Sequence, residues 1–150
     1  CYYCCSQCVD VSNRFIAMPS PRTRIIGVQM FKYNMKGFLQ WGYNFYYTRL
    51  SQRLIDPYNV TDSGRAFPAG DPFSVYPSED GAIPSLRQKV FSNALEDMRL
   101  LSLLEEKIGH TATVELIERV AGMTITFSKY PKNEDFFQKL YEEIFKELEK

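Results

Sequence analysis

The alternation of apolar and polar residues along the chain predicts strands and helices in turn. Residues 36–47 are apolar on both faces, which is typical of a parallel strand that helices cover on both sides. Residues 1–9 form a shorter run rich in residues that favour strands, and residues 73–77 form a third. The sequence therefore predicts three short strands, of which the second is buried.

Helix signals separate and follow these strands. Ser20 stands before Pro21, the arrangement expected at a helix N-cap and first helical position, and Asn34 can supply a left-handed stop. Ser85 and Gln88 form a capping box, and Gly109 ends the apolar periodicity that follows it. The predicted helices span about residues 20–33, 86–108 and 113–120, with a last one starting at an Asn133 cap.

This order of elements predicts an α/β fold with a parallel sheet, because strands that alternate with helices need crossover connections. Residues 48–72 form a long loop rich in turn-forming residues, and residues 78–82 form a second loop. Long loops inside compact domains are usually functional, so residues 48–72 are expected to border a site.

The composition of the chain argues against two classes of binding partner, nucleic acids and membranes. The chain has 18 basic and 18 acidic residues, so it offers no basic field for phosphates and we expect no nucleic-acid partner. No apolar run approaches the roughly 18 residues of a membrane span, and we expect no membrane partner. Nothing in the sequence fixes the oligomeric state or the compartment, and cytoplasmic and secreted locations both remain open.

Four cysteines within eight residues raise the question of a metal site. Cys1, Cys4, Cys5 and Cys8 could in principle hold zinc or an iron–sulfur cluster. Structural zinc sites, however, commonly use two paired-cysteine knuckles about a dozen or more residues apart, with turns that this segment lacks. We therefore expect thiols that pack as small core side chains, with no metal and no cofactor.

Aromatic and amide residues mark the end of the second predicted strand. Flat rings stack on the apolar C–H faces of pyranose sugars, and amide groups bond hydroxyls, so this cluster suits a sugar site. Strand parity places Trp41 and Tyr43 on one face and Asn44 on the other unless Gly42 forms a bulge. The predicted sugar-contacting residues are Tyr3, Trp41, Tyr43, Asn44, Asp71 and Tyr76. Core packing for Trp41, a loop cap for Asn44 and a plain turn for Asp71 are the structural alternatives.

Short segments of the chain also occur, in the same order, in the C-terminal half of glycoside hydrolase family 123. The same order is found in a related uncharacterised domain family, numbered 4091. The resemblance extends over about residues 1–108, and residues 109–150 resemble only the variable helical tail. The segments that carry it are residues 2–5, 22–27, 36–44, 70–71, 75–77, 80–81 and 84–87.

The resemblance implies that residues 1–108 form the last three strands and the helices of a (β/α)₈ TIM-type barrel, incomplete at the N-terminus. Residues 109–150 would then be a helical extension. Characterised members of the family are retaining β-N-acetylgalactosaminidases in which the acetamido oxygen of the substrate attacks the anomeric carbon, assisted by an adjacent Asp-Glu pair. Neither Glu79-Asp80 nor Glu134-Asp135 matches that pair in its position, so the resemblance assigns no catalytic residue to this chain.

Two functional hypotheses follow. In the first, the chain is the C-terminal part of a glycoside-hydrolase-like protein and supplies wall residues that bind an amino sugar or a glycan. The complete protein would then hydrolyse terminal β-linked N-acetylhexosamine, while the isolated chain would be inactive. In the second, the chain is a non-catalytic domain that binds a carbohydrate or a partner.

Overall fold

The structure, a computed structural model, describes residues 1–7 and 10–150 and is of mixed α/β type. Its strands are short and its helices make up most of the regular structure. The strands are β1 (Tyr2–Tyr3), β2 (Leu39–Gln40), β3 (Val75–Ser78) and β4 (Gly81–Pro84). The α-helices are α1 (Pro21–Arg24), α2 (Ile26–Lys32), α3 (Leu86–Ile108), α4 (His110–Ala121) and α5 (Asp135–Glu149). Short 3₁₀ turns occupy Cys5–Gln7 and Arg49–Ser51.

Strands β1 and β2 pair in parallel, as the alternation of strands and helices predicts. Tyr2 lies opposite Leu39 and Tyr3 opposite Gln40. The predicted extent of the second strand, residues 36–47, is wrong, because regular pairing ends at Gln40. A side chain at Gly42 would lie 2.8 Å from the carbonyl oxygen of Pro72, so glycine there lets the chain leave β2 and run against residues 72–74.

The prediction of a third parallel strand over residues 73–77 is wrong. Strand β3 pairs antiparallel with β4, and Ser78 lies opposite Gly81 across a two-residue turn. Such a short connection allows only antiparallel pairing, because a parallel partner needs a crossover of about a dozen residues. Part of the predicted loop over residues 78–82 is therefore strand β4, whose residues are exposed. Among the described residues the strands form two separate two-stranded sheets and no closed barrel.

The helix predictions agree well with the structure. Helix α3 has the predicted bounds, and Ser85 Oγ accepts a hydrogen bond from the backbone N–H of Gln88, at 3.2 Å. The helix predicted over residues 20–33 is divided at Ile25, and Asn34 has the left-handed conformation expected of its stop. Helix α4 begins three residues earlier than predicted. Asn133 Oδ1 caps the last helix by accepting from Phe136 N–H at 3.2 Å.

The main apolar core lies between helices, with α2 and α3 on one side and α4 and α5 on the other. Gly27 lets α2 pack closely against α3, because a Cβ at that position would lie 1.9 Å from the carbonyl oxygen of Ala94. The predicted division of the chain into a barrel part, residues 1–108, and a helical extension, residues 109–150, stays a prediction. The central residues of this core are Ile25, Val28, Phe31, Leu101, Leu104, Leu116, Ile117, Ile125, Phe137, Leu140 and Ile144.

A polar cluster at the edge of this core joins three helices. Asp97 of α3 is buried and accepts hydrogen bonds from Arg24 Nε at 2.7 Å and Arg24 Nη2 at 2.8 Å. Tyr141 of α5 donates its hydroxyl hydrogen bond to the same carboxylate. The Arg24 guanidinium also lies 4.3 Å from the centre of the Phe137 ring. Although burial by itself lowers the pKa of Arg24, the hydrogen bonds and charge of Asp97 raise it overall.

Within the described part of the chain, no helix is both long enough and apolar enough to cross a bilayer.

Candidate functional site

Asp71 is the centre of a buried polar cluster that three predicted contact residues form together. Its side chain is fully buried, and its carboxylate accepts hydrogen bonds from Tyr3 Oη at 2.5 Å and Trp41 Nε1 at 2.7 Å. Tyr3 ends β1, and Trp41 directly follows β2. The parallel pairing of β1 and β2 brings both residues to the carboxyl ends of the strands, where sites in α/β folds are built.

Burial is the main influence on the pKa of Asp71. Removal from water raises the pKa of Asp71, while the hydrogen bonds from Tyr3 and Trp41 and the charge of Arg14 partly oppose that rise. Burial and the neighbouring carboxylate also raise the pKa of Tyr3, so its hydroxyl stays a donor. The rings of Tyr3 and Trp41 are therefore held in place by two neutral donors, an O–H and an N–H, that share the Asp71 carboxylate as acceptor.

Arg14 belongs to this cluster although sequence reasoning missed it. Only 2% of the residue is exposed, and its guanidinium lies 4.9, 4.6 and 4.4 Å from the ring centres of Tyr3, Phe38 and Phe91. Burial lowers the pKa of Arg14 to about 10. Arg14 lies between predicted elements and follows no periodic pattern, so no local signal in the sequence marks it as buried.

The cysteines next to this cluster differ in their chemistry. Burial raises the pKa of Cys5 to about 12, which keeps that thiol protonated near neutral pH. The pKa of Cys4 is lowered by hydrogen bonds from Ser6. Cys8, the remaining member of the predicted group, lies outside the described residues. Among residues 1–7 and 10–150, no cluster of three or more ligating side chains could hold a metal ion.

Trp41 combines a fixed edge with a partly exposed ring. Its indole packs on Phe67, with ring centres 4.5 Å apart, and on Phe45, at 5.7 Å. With Nε1 held by Asp71, the ring has little freedom to turn. The Trp41 side chain is thus oriented before any ligand arrives.

The structure places the other predicted contact residues outside the Asp71 cluster. Tyr43 is 51% exposed, and its carbonyl oxygen accepts from Ser74 N–H at 2.7 Å. Asn44 is exposed and forms an isolated antiparallel bridge with Phe73. Tyr76 packs its ring on Phe73 and on Tyr58 instead. Tyr43 and Asn44 belong to the ribbon that residues 43–45 and 72–74 form beside the cluster, and Tyr76 follows this ribbon in β3.

Comparison with known protein families gives this geometry a context. The sequence model described as the catalytic domain of glycoside hydrolase 123 matches residues 1–104, more than half of the chain. The chain belongs to glycoside hydrolase family 123. No curated protein matches the sequence significantly. The Asp71 cluster lies inside the matched region, whereas all of α4 and α5 follow it.

The adjacent acidic pairs of this family 123 chain lie at exposed positions, unlike the buried Asp71. Glu79 and Asp80 are exposed in the turn between β3 and β4. Glu134 is exposed just before α5, and its carboxylate lies 3.7 Å from Arg24 Nη1. Both pairs thus occupy surface positions, in a turn and at a helix start, as the sequence indicates.

The raised pKa of Asp71 predicts a specific pH dependence. Because the folded state binds a proton more readily than the unfolded state, the contribution of this group to stability is largest below its unfolded pKa of about 4. That contribution is lost as the pH rises through the folded pKa. Compared with Asp71→Asn, the wild type should therefore gain stability as the pH falls from 7 to 4.

Urea unfolding of both proteins at a series of pH values measures this difference directly. Other carboxyl groups titrate in both proteins and cancel in the comparison. A wild type that loses stability relative to Asp71→Asn over the same range would show that the pKa of Asp71 is lowered, and would contradict the prediction.

Proposed function

We propose that this chain supplies the sugar-binding wall of a glycoside-hydrolase-like protein. Membership of family 123 supports a carbohydrate ligand. The observation that carries the proposal is the hydrogen bond from Trp41 Nε1 to the buried Asp71 carboxylate, because it fixes a partly exposed indole at the carboxyl end of paired parallel strands. A rigid ring in that position suits stacking on a pyranose.

The residues of the cluster would have different roles. Trp41 would contact the sugar ring, while Asp71 would act as a positioning residue, since its oxygens already accept bonds from Trp41 and Tyr3. Tyr43 and Asn44, both exposed on the neighbouring ribbon, are proposed to contact hydroxyl or acetamido groups, and Tyr76 to border the same ligand. We further propose that β1 and β2 are strands of a (β/α)₈ barrel, in which such sites face the carboxyl ends.

The proposed reaction of the complete protein is hydrolysis of a terminal β-linked N-acetylhexosamine with retention. Substrate assistance, in which the acetamido oxygen forms the first bond to the anomeric carbon, departs from the usual scheme of two enzymic carboxylates. Residues 1–150 receive no catalytic role in this proposal. If the chain instead works as a non-catalytic domain, it would bind the sugar and never cleave it, which a hydrolysis assay on the longest available protein distinguishes.

Trp41→Ala is expected to weaken binding of methyl β-N-acetylgalactosaminide by about tenfold or more, the equivalent of one lost stacking contact. Trp41→Phe should retain part of the affinity because a ring remains. Titration followed by NMR chemical shifts measures both. Phe145→Ala is the matched control, since Phe145 is a 51% exposed ring of α5 that packs on Tyr141. A wild type that does not bind this sugar, or Trp41→Ala binding equally well, would contradict the proposal.

A further inference from the structure

A row of aromatic rings leads away from the Asp71 cluster along one side of the chain. Trp41, Phe45 and Tyr47 follow one another along residues 41–47, and each ring contacts the next. The ring centres of Trp41 and Phe45 are 5.7 Å apart, and those of Phe45 and Tyr47 are 5.9 Å apart. We call these three residues the ring row. It begins at the proposed sugar contact and ends on a residue that is 42% exposed.

The outer end of the ring row is held by a hairpin-like arm, residues 46–55. Thr48 N–H donates to Arg53 O at 2.9 Å, and Ile55 N–H donates to Tyr46 O at 3.0 Å, so the arm is closed by backbone hydrogen bonds. Tyr47 forms an isolated antiparallel bridge with Leu54. The arm therefore fixes the backbone of Tyr47 while its ring stays accessible.

Strain at the tip of this arm is consistent with a functional role. Leu50 and Ser51 both have left-handed backbone conformations, with φ of 59° and 56°. Residues other than glycine adopt this conformation at a cost, and such positions cluster at ligand-binding segments. Leu50 is also 79% exposed, so no packing of its side chain explains the conformation.

Tyrosines on the other side of the ribbon have a different environment. Tyr46 and Tyr58 donate their hydroxyl hydrogen bonds to the carbonyl oxygens of Val75, at 2.7 Å, and Pro77, at 2.6 Å. These bonds brace β3, which gives the two rings a structural task. Within the described residues, the Tyr47 hydroxyl makes no such bond. A structural hydrogen bond therefore does not account for the position of Tyr47 in the ring row.

We propose that the ring row is an extended glycan-binding surface, so that the ligand is an oligosaccharide rather than a single sugar. The proposal rests on the proposed function, since the terminal sugar would stack on Trp41. The following sugars would then contact Phe45 and Tyr47, whose rings are tilted by 54° and 55° against the preceding ring of the row. Aromatic rings provide large contact area with little conformational entropy to lose, which favours this use of tyrosine.

The experiment compares two probes, methyl β-N-acetylgalactosaminide and a trisaccharide in which the same terminal sugar is β-linked to lactose. The wild type should bind the trisaccharide about tenfold more tightly than the methyl glycoside. Tyr47→Ala should lose most of this difference without changing the affinity for the methyl glycoside, and Tyr47→Phe should keep it. Tyr58→Leu tests the other side of the ribbon, where Tyr58 is 56% exposed and packs on Tyr76, and it should leave the preference unchanged. Thermal unfolding confirms that each variant is folded.

The possible outcomes separate the two proposals. Equal binding of both probes by the wild type overturns the ring row and leaves the Trp41 contact intact. A trisaccharide preference that persists in Tyr47→Ala also overturns the ring row. Failure of the wild type to bind either probe overturns the proposed function and the ring row with it. Loss of the preference in Tyr58→Leu but not in Tyr47→Ala assigns the surface to the wrong side of the ribbon and overturns the inference.

Discussion

Replacing Asp97 by alanine is expected to lower the free energy of unfolding by about 3–5 kcal/mol, the range measured when one partner of a buried ion pair is removed. Asp97 is 1% exposed and accepts both hydrogen bonds from Arg24 as well as the one from Tyr141. Its loss would leave the guanidinium, which lies against the Phe137 ring, with only the exposed Glu134 carboxylate at 3.7 Å to balance its charge. The three helices that meet there would lose their shared acceptor.

Equilibrium urea unfolding measures this loss, and two further variants identify its source. Tyr141→Phe removes a single donor and should cost only about 1 kcal/mol. Combining Asp97→Ala with Arg24→Met removes the guanidinium and should recover part of the stability, because a largely buried cation that has lost its main partner is costlier than an apolar side chain of similar length. An Asp97→Ala variant within about 1 kcal/mol of the wild type would show that water compensates Arg24, contrary to the burial seen here.

The helices are the part of the fold that sequence alone predicts well. Capping at Ser85 and the apolar periodicity after it are local features, and the structure confirms both the cap and the bounds of α3. Asn34 is likewise confirmed as a left-handed stop. These predictions succeed because the interactions involved span only a few residues.

The strands were harder to predict because their pairing depends on distant residues. The composition of residues 73–77 is compatible with either pairing direction, and only the turn at Glu79 and Asp80 decides for an antiparallel partner. The end of β2 is set by the approach of Pro72 to Gly42, which no local pattern shows. In both cases the sequence identifies residues that favour strands but not the neighbour that orders them.

In the candidate site, too, local features could be predicted from the sequence, whereas contacts between distant residues could not. Aromatic residues at a strand end mark Trp41, and the turn before β3 marks Asp71, but their hydrogen bond joins positions 30 residues apart. Arg14 was missed altogether, since a charged loop residue is normally solvated. The ring contacts from Trp41 through Phe45 to Tyr47 lie in the segment predicted as the second strand, although regular pairing there ends at Gln40.

Membership of family 123 and the polar cluster support the same functional conclusion by different routes. The family match concerns residues 1–104 and the class of chemistry. The cluster concerns a physical requirement of the proposed function, namely that the Trp41 ring must be oriented before a sugar binds to it. Asp71 meets that requirement at an electrostatic cost, because its carboxylate is fully buried. The charge of Arg14 offsets part of this cost.

Removing the carboxylate in Asp71→Ala is therefore expected to destabilise the protein by about 3–5 kcal/mol and to abolish the orientation of Trp41. Tyr3 Oη and Trp41 Nε1 would lose their acceptor, and Arg14 would keep a buried charge with no nearby anion. Arg14→Met should cost far less, about 1 kcal/mol, since the thioether can pack among the same three rings.

The double variant Asp71→Ala/Arg14→Met distinguishes these contributions. It should be more stable than the sum of the single effects by about 1–2 kcal/mol, because the variant that lacks Asp71 no longer buries an unpaired cation. Sugar binding should nevertheless stay weak in the double variant, since the indole remains without its acceptor. Additive stabilities would show that Arg14 and Asp71 act independently. Recovery of sugar binding would show that apolar packing on Phe45 and Phe67, rather than the hydrogen bond to Asp71, orients Trp41.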